Sequence, residues 1–363
     1  MSDLAAQPIQ EAFRRQFRAP AAAWAHAPGR VNLLGEHTDY NGGFVLPTAL
    51  RQQTWVALAP SRDGQHRFHA ASLGKQLAVP VGEAGEDFAR YLTGCLVVAG
   101  MQAYPLWVYI QSDVPVAAGL SSSAALEVAF LRALRRLYQR PWDDLAVAQL
   151  AQRAEVEQVG VRVGIMDQMA SSLADDRHML WLDTQSLETR LLPLPPQSEV
   201  LVLDSGTQRQ LASSGYNQRR SECEQACALL GVSSLRQVER VSDLAALPSP
   251  LLQRARHVVS ENARVLAALS TDAPGFGRLM NASHQSLRDD YAVSVPSLDA
   301  LVELQQLHPE VYGARLTGAG FGGCTVALVR EGAAARVGDQ VLAGYRSRGF
   351  SGGRRVTPPP ADL

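Results

Sequence analysis

Along this 363-residue chain the spacing of apolar positions switches between helical and strand-like periods, and the switches mark its elements. Residues 11–18 form a short amphipathic pattern that predicts a helix. Two runs, Thr54-Trp55-Val56-Ala57-Leu58-Ala59 and Leu106-Trp107-Val108-Tyr109-Ile110, are short, apolar and rich in β-branched and aromatic residues, which predicts strands. Over 124–138, Leu126, Phe130, Leu134 and Leu137 share one helical face while Arg132, Arg135 and Arg136 lie largely elsewhere. A second helix is predicted over 143–159. Leu192-Pro193-Leu194-Pro195-Pro196 can continue neither regular structure, and a strand-like Glu199-Val200-Leu201-Val202-Leu203 follows it. A domain boundary is placed there, giving an N-terminal domain over 1–190 and a C-terminal domain over 191–363.

Beyond that boundary, helical stretches are predicted around 213–230, 250–270 and 297–307. Strand-like Gly313-Ala314-Arg315-Leu316 and Thr325-Val326-Ala327-Leu328-Val329 flank a glycine-rich loop. Residues from 352 onward are basic, then proline-rich, and are expected to fray without a closing strand. The mixed order of elements predicts an α+β chain, and its length exceeds the usual size of one hydrophobic core.

Charge narrows the function classes. Lys plus Arg (34) nearly balances Asp plus Glu (35), so no whole-molecule field favours nucleic acid or an anionic membrane. No apolar run approaches the roughly 20 residues that span a bilayer, and the N-terminal residues lack a secretory pattern. The four cysteines form no metal motif, and Cys223 and Cys227 are spaced as one helical turn. A cytoplasmic monomer with reduced thiols, acting on small molecules, is the expectation.

Candidate chemistry concentrates in four places. Pro28-Gly29-Arg30-Val31-Asn32-Leu33-Leu34-Gly35-Glu36-His37-Thr38-Asp39-Tyr40 packs a cation, an imidazole and two carboxylates between glycines. Burying such ions costs several kcal/mol unless they are paired, so the run points to a polar pocket for a hydroxyl-rich ligand. Next, Gly119-Leu120-Ser121-Ser122-Ser123-Ala124 leads from a strand into the strong helix. One serine suffices for a helix cap; three point to a phosphate cradle at the helix N-terminus. No G-x-x-x-x-G-K-[ST] motif is present, which excludes a P-loop enzyme. Third, Gly164-Ile165-Met166-Asp167-Gln168 sets Asp167 among apolar neighbours, as a helix cap or a base. Glu155 and Glu157 lie upstream, where helix glutamates are usually solvated. Finally, Gly318-Ala319-Gly320-Phe321-Gly322-Gly323 satisfies G-x-G-x-x-G, but a strand follows it, which argues for a tight loop between strands and against a dinucleotide fold.

Taken in order, these motifs resemble the GHMP kinases, which phosphorylate galactose, homoserine, mevalonate and phosphomevalonate. Residues 29–40, 164–168 and 205–220, the last ending Ser214-Gly215-Tyr216-Asn217-Gln218-Arg219-Arg220, are most similar to the galactose-phosphorylating branch, as is Arg288-Asp289-Asp290-Tyr291 with Val295-Pro296. The resemblance covers about residues 20–330. It implies a two-domain GHMP fold, with an N-terminal mixed-sheet domain, a C-terminal α+β domain and the active site in the cleft between them. It implies transfer of the ATP γ-phosphoryl group, with Mg²⁺, to the C1 hydroxyl of α-D-galactose. By the same resemblance Asp167 is the catalytic aspartate and Arg30 its cation. Glu36, His37, Asp39, Gly164 and Tyr216 would bind sugar; Gly119, Leu120, Ser121, Ser122, Ser123 and Ala124 the phosphates; and Phe88 would border the adenine. Ser122 or its neighbour, with Glu155, takes the Mg²⁺ positions. Asp167 could act as a base or as an electrostatic anchor, and His37 could instead be a packed structural histidine. Val163 and Gly215 depart from the branch, which commonly carries cysteine and an acidic residue there. Rival readings are a kinase for N-acetylgalactosamine or arabinose, and a non-catalytic galactose and ATP sensor, whose serine loop is usually degraded; here it is intact.

Overall fold

A computed structural model describes residues 7–207 and 212–358. Its contacts group the chain into two compact units that exchange segments. Unit 1 holds residues 7–30, Leu50–Pro115 and Ser121–Leu173; unit 2 holds Val31–Ala49, Val116–Leu120 and the described residues from Ala174 onward.

Unit 1 is built on a five-stranded sheet in the order Ala23–Asn32, Pro47–Pro60, Leu106–Ser112, Gln65–Ala70 and Lys75–Pro80. Alternation along the strands gives the sheet two different faces. Val56, Leu58, Phe68, Val108 and Ile110 join a core completed by the helices Ala89–Val98, Ser122–Leu137 and Asp144–Ala154. The opposite face presents Trp55, Trp107 and Tyr109 to the helix Gln7–Phe17, whose Ile9 and Phe13 are buried against it. The predicted 143–159 helix is real only to Ala154: it widens into a π-helical turn at Glu155–Val159, closed by Gly160. Such turns are often found at functional sites. This one carries Glu155 inward, while Glu157 pairs with Arg153 on the surface.

Unit 2 contains an antiparallel sheet in the order Val311–Leu316, Cys324–Arg330, Ser198–Asp204 and Arg354–Thr357. The glycine-rich loop is therefore the hairpin connection expected from its flanking strands. The tail does not fray at 354–357: those residues form the closing strand, paired with Ser198–Asp204. Only Val356 of that strand is buried, so a pattern of four residues with a single apolar position concealed it. Residues 359–363 lie outside those described. A smaller sheet joins Phe44–Val45, His178–Asp183 and Thr189–Pro193. Leu192 and Pro193, expected to be irregular, thus end an edge strand, where a missing N–H is tolerated.

Helices Ala212–Leu230 and Leu251–Ala268 share one core, and Pro296–Gln306 packs with Ala334–Ser347 over the larger sheet. The helix Ala273–Asp289 approaches the strand Val311–Leu316 backbone to backbone: a Cβ on Gly277 would lie 2.0 Å from the Tyr312 carbonyl oxygen. Gly277→Ala is therefore expected to destabilise the protein by about 1–3 kcal/mol through overpacking against immovable backbone. Urea denaturation measures this, and an unchanged midpoint would contradict the close approach.

Candidate active site

Each unit holds one constellation of the predicted residues. In unit 1, Asp167 occupies the first turn of the helix Met166–Leu173. It is not a cap. Its Oδ1 accepts from Arg30 Nε at 2.9 Å and Nη2 at 2.6 Å, and its Oδ2 accepts from the Ser121 hydroxyl at 2.5 Å. The Arg30 side chain is buried, whereas that of Asp167 is 28% exposed, so the carboxylate remains open to a substrate.

Ser121 stands at the N-cap of Ser122–Leu137 in a left-handed conformation, φ 59°, and makes no capping hydrogen bond. Its hydroxyl serves Asp167 instead. The N–H groups of that first helical turn, which have no intrahelical partner, are thus not closed off by a serine cap. The Ser123 hydroxyl, rather than that of Ser122, meets Glu155 Oε1, at 3.3 Å, while Gln168 donates to Glu155 Oε2 at 2.8 Å. Burial, and then the Asp167 charge, push the Glu155 carboxyl up to about 7. Glu127, wholly buried alongside, is raised well above the usual carboxylate range by burial and by Glu155. Among the described residues no group of three or more His, Cys, Asp or Glu could hold a metal alone. One carboxylate with a neighbouring hydroxyl does fit Mg²⁺, which takes most of its ligands from nucleotide phosphates and water. Gly164 is buried before the Asp167 helix, and Phe88 is packed into the core of unit 1 beside Ala89 and Leu92.

In unit 2, Gly35 has φ 90°, and a Cβ there would strike the Phe44 carbonyl oxygen at 2.3 Å, so the loop closes only with glycine. Glu36 points inward: its Oε2 accepts from Arg315 Nη2 at 2.7 Å and from the Gly318 N–H at 2.9 Å. His37 Nδ1 bonds the Tyr40 hydroxyl at 2.9 Å, and Tyr40 bonds the Tyr291 hydroxyl at 2.7 Å. The His37 ring lies 5.6 Å from that of Tyr216 and 4.8 Å from that of Tyr291. Sugar contact and aromatic packing are therefore both open to His37. Asp39, half-buried, starts a short 3₁₀ turn, and its carbonyl accepts from Thr184. Gly215 leaves room for the Phe321 ring, which a Cβ would meet at 2.5 Å. An acidic side chain has no place there.

Sequence reasoning passed over Arg315, His257, Glu261 and Asn262. Arg315 carried a signal, as a lone cation in an apolar strand leading to the glycine loop; its exposure is 0%. Glu261 accepts from the Gly35 and Glu36 amides. Burial opposes its charge, but Arg264, His257 and Arg315 hold its carboxyl well below the usual carboxylate range. His257 bonds the Glu36 carbonyl at 3.0 Å, and Asn262 Oδ1 accepts from the Phe44 N–H at 3.0 Å.

With the geometry in place, comparison with known proteins narrows the class. The galactokinase galactose-binding signature matches residues 11–60, and the N-terminal and C-terminal GHMP kinase domains match 87–175 and 265–347. Fold and site together define a GHMP kinase. A galactokinase of Roseiflexus sp. (strain RS-1) is 46% identical over 342 residues, covering 89% of this chain and 87% of the relative. One from Chloroflexus aggregans is 44% identical over 362 residues, covering 94% and 92%. The crystal structure of Lactococcus lactis galactokinase complexed with galactose aligns with a TM-score of 0.89 at 30% identity, covering 98% of this chain and 97% of that one. The chain belongs to the galactokinase family.

The buried histidines give the fold a pH dependence. Burial lowers His257 from 6.5 to about 4 and also lowers His37, His26 and His66. As pH falls through 6.5 the unfolded chain takes up protons that the folded histidines refuse, so their contribution to stability drops between 6.5 and about 4, while the raised Glu155 and Glu127 carboxyls act in the opposite direction. Urea midpoints across that window isolate the histidine part: relative to the wild type, the slope of His257→Gln should shift toward less loss of stability as pH falls. An unaltered slope in that variant would remove His257 from this account.

Proposed function

We propose that Arg30, Asp167 and the serine loop perform the galactokinase reaction, in which the γ-phosphoryl group of ATP passes to the C1 hydroxyl of α-D-galactose. The products are α-D-galactose 1-phosphate and ADP. The carrying observation is the Arg30–Asp167–Ser121 arrangement. An ionised carboxylate has about four acceptor sites, and three hydrogen bonds from the protein leave capacity for a substrate hydroxyl. Asp167 accepts the C1 hydroxyl proton, and Arg30 compensates the charge of Asp167 and of the transferring group.

Phosphoryl transfer depends on positioning and charge stabilisation more than on covalent help. With Ser121 turned to Asp167, the N–H groups at the start of Ser122–Leu137 serve phosphate oxygens, helped by the helix dipole. Gly119, Leu120, Ser122, Ser123 and Ala124 complete this cradle, and Phe88 borders the base. Glu155 and a serine hydroxyl, Ser123 or Ser122, would hold Mg²⁺, which when bound neutralises phosphate charge. Glu36, His37, Asp39, Gly164 and Tyr216 select the sugar. An epimer that leaves a buried acceptor unpaired is penalised. None of the four cysteines is in a disulfide, which suits a reducing, cytoplasmic compartment. The residues assigned to both constellations come from one chain, so this reading needs no second copy.

Coupled ADP release with Asp167→Asn tests the assignment. The kcat should fall about 10²–10⁴-fold, the usual contribution of a positioned acid or base, while calorimetry still records galactose binding. Near-normal turnover would remove Asp167 from this role. In the wild type, a higher kcat/KM for N-acetylgalactosamine or arabinose than for galactose would overturn the sugar assignment.

A further inference from the structure

We propose that Glu261 is a positioning residue for galactose selection, fixing the backbone of Gly35 and Glu36 and thereby the side chains of Glu36 and His37. This rests on the reading that the Glu36–His37 pair meets the sugar.

Glu261 lies on the helix Leu251–Ala268 with 0% exposure. A carboxylate in that setting needs every lone pair answered. Arg264, one turn along the same helix, donates to Oε2 at 2.6 Å, which by itself would make an ordinary local ion pair. Oε1 is used differently. It accepts from the Gly35 N–H at 2.9 Å, the Glu36 N–H at 3.4 Å and the Ser283 hydroxyl at 2.6 Å. Two consecutive amides converging on one oxygen form the concavity that usually receives a bound anion. Here the anion is a side chain of the protein.

The same helix holds the rest of the loop. His257 Nε2 donates to the Glu36 carbonyl, and His257 Nδ1 pairs with the Ser286 hydroxyl at 2.9 Å. Both sides of Glu36 in the main chain are therefore gripped, by Glu261 at its N–H and by His257 at its C=O. Asn262 fastens the far end at the Phe44 N–H. With the main chain fixed, Glu36 reaches Arg315 and the Gly318 N–H, and His37, at φ 63°, turns its ring onto Tyr40, Tyr216 and Tyr291. The Arg30–Asp167–Ser121 arrangement is held within unit 1. Loosening the clamp should therefore register in galactose affinity and not in the chemical step.

The test is Glu261→Gln, which keeps the shape but removes the charge, measured beside Glu36→Gln. Steady-state kinetics with galactose and with ATP give kcat and both KM values, and calorimetry gives galactose affinity without turnover. For Glu261→Gln, KM for galactose and its dissociation constant should rise about tenfold or more, the scale of a lost charge-assisted hydrogen bond, with kcat and KM for ATP little changed. If that variant does not fold, Ser283→Ala, which removes one donor to Oε1, should shift the same parameters in the same direction by less. A folded Glu261→Gln or Ser283→Ala with unchanged galactose KM, or with only a lower kcat, would overturn the clamp if Glu36→Gln raises that KM. If Glu36→Gln also leaves it unchanged, the sugar-binding reading of the loop falls instead.

Discussion

A guanidinium shut away from water must be neutralised where it lies, and Arg315 is such a group. Its neighbours on the strand are Ala314 and Leu316, so the answering charge has to come from elsewhere. Glu36 supplies it, and Arg315 Nη1 also donates to the Asn32 carbonyl at 3.1 Å. Breaking a buried pair by removing one partner typically costs about 3–5 kcal/mol. The strand Val311–Leu316, the start of the glycine loop and the run after Asn32 are therefore bound into one polar body. Glu261 and Arg264 repeat the arrangement beside it, so that two anions face two cations.

Unit 1 handles its charges differently. Asp167 keeps part of its surface in solvent although Arg30 beside it is buried. A group that must take and release a proton needs access and an acceptor site to spare. A group that must tell one hydroxyl arrangement from another needs rigidity and no alternative partner. The half-open Arg30–Asp167 pair and the sealed Glu36–Arg315 pair fit those two demands.

Local pattern made the long elements legible: Ser122–Leu137, Ser198–Asp204 and Leu251–Ala268 have apolar positions at a steady period. The helix Ala273–Asp289 escaped because Pro274, Gly275 and Gly277 read as turn residues, although Asp272 caps the helix start and Gly277 serves the contact with the strand. Among site residues, Arg30 and Asp167 were recognisable as a pair through family resemblance, and the structure bonds them. The partner of Ser121 was not. A serine before a helix reads as its cap, and only the fold brings Asp167 to its hydroxyl. Glu261 was the hardest to see. A helix glutamate is solvated by default, and nothing near it in the chain reports that its partners are Gly35 and Glu36.

Gly35 and Glu261 are 226 residues apart in the chain. At about 5–20 residues per second, a ribosome needs about 10–45 s to make the intervening stretch. Unit 1 has all its residues once Leu173 has been added, whereas Val31–Ala49 and Val116–Leu120 belong with residues not yet made. All of unit 1 therefore exists before the later partners of Val31–Ala49 and Val116–Leu120 do. The segment carrying Glu36 and His37 is made well before Glu261 and Arg315, the residues that hold it. Until Glu261 is made the Gly35 and Glu36 amides lack their folded-state acceptor, and until Arg315 is made the Glu36 carboxylate lacks its folded-state cation.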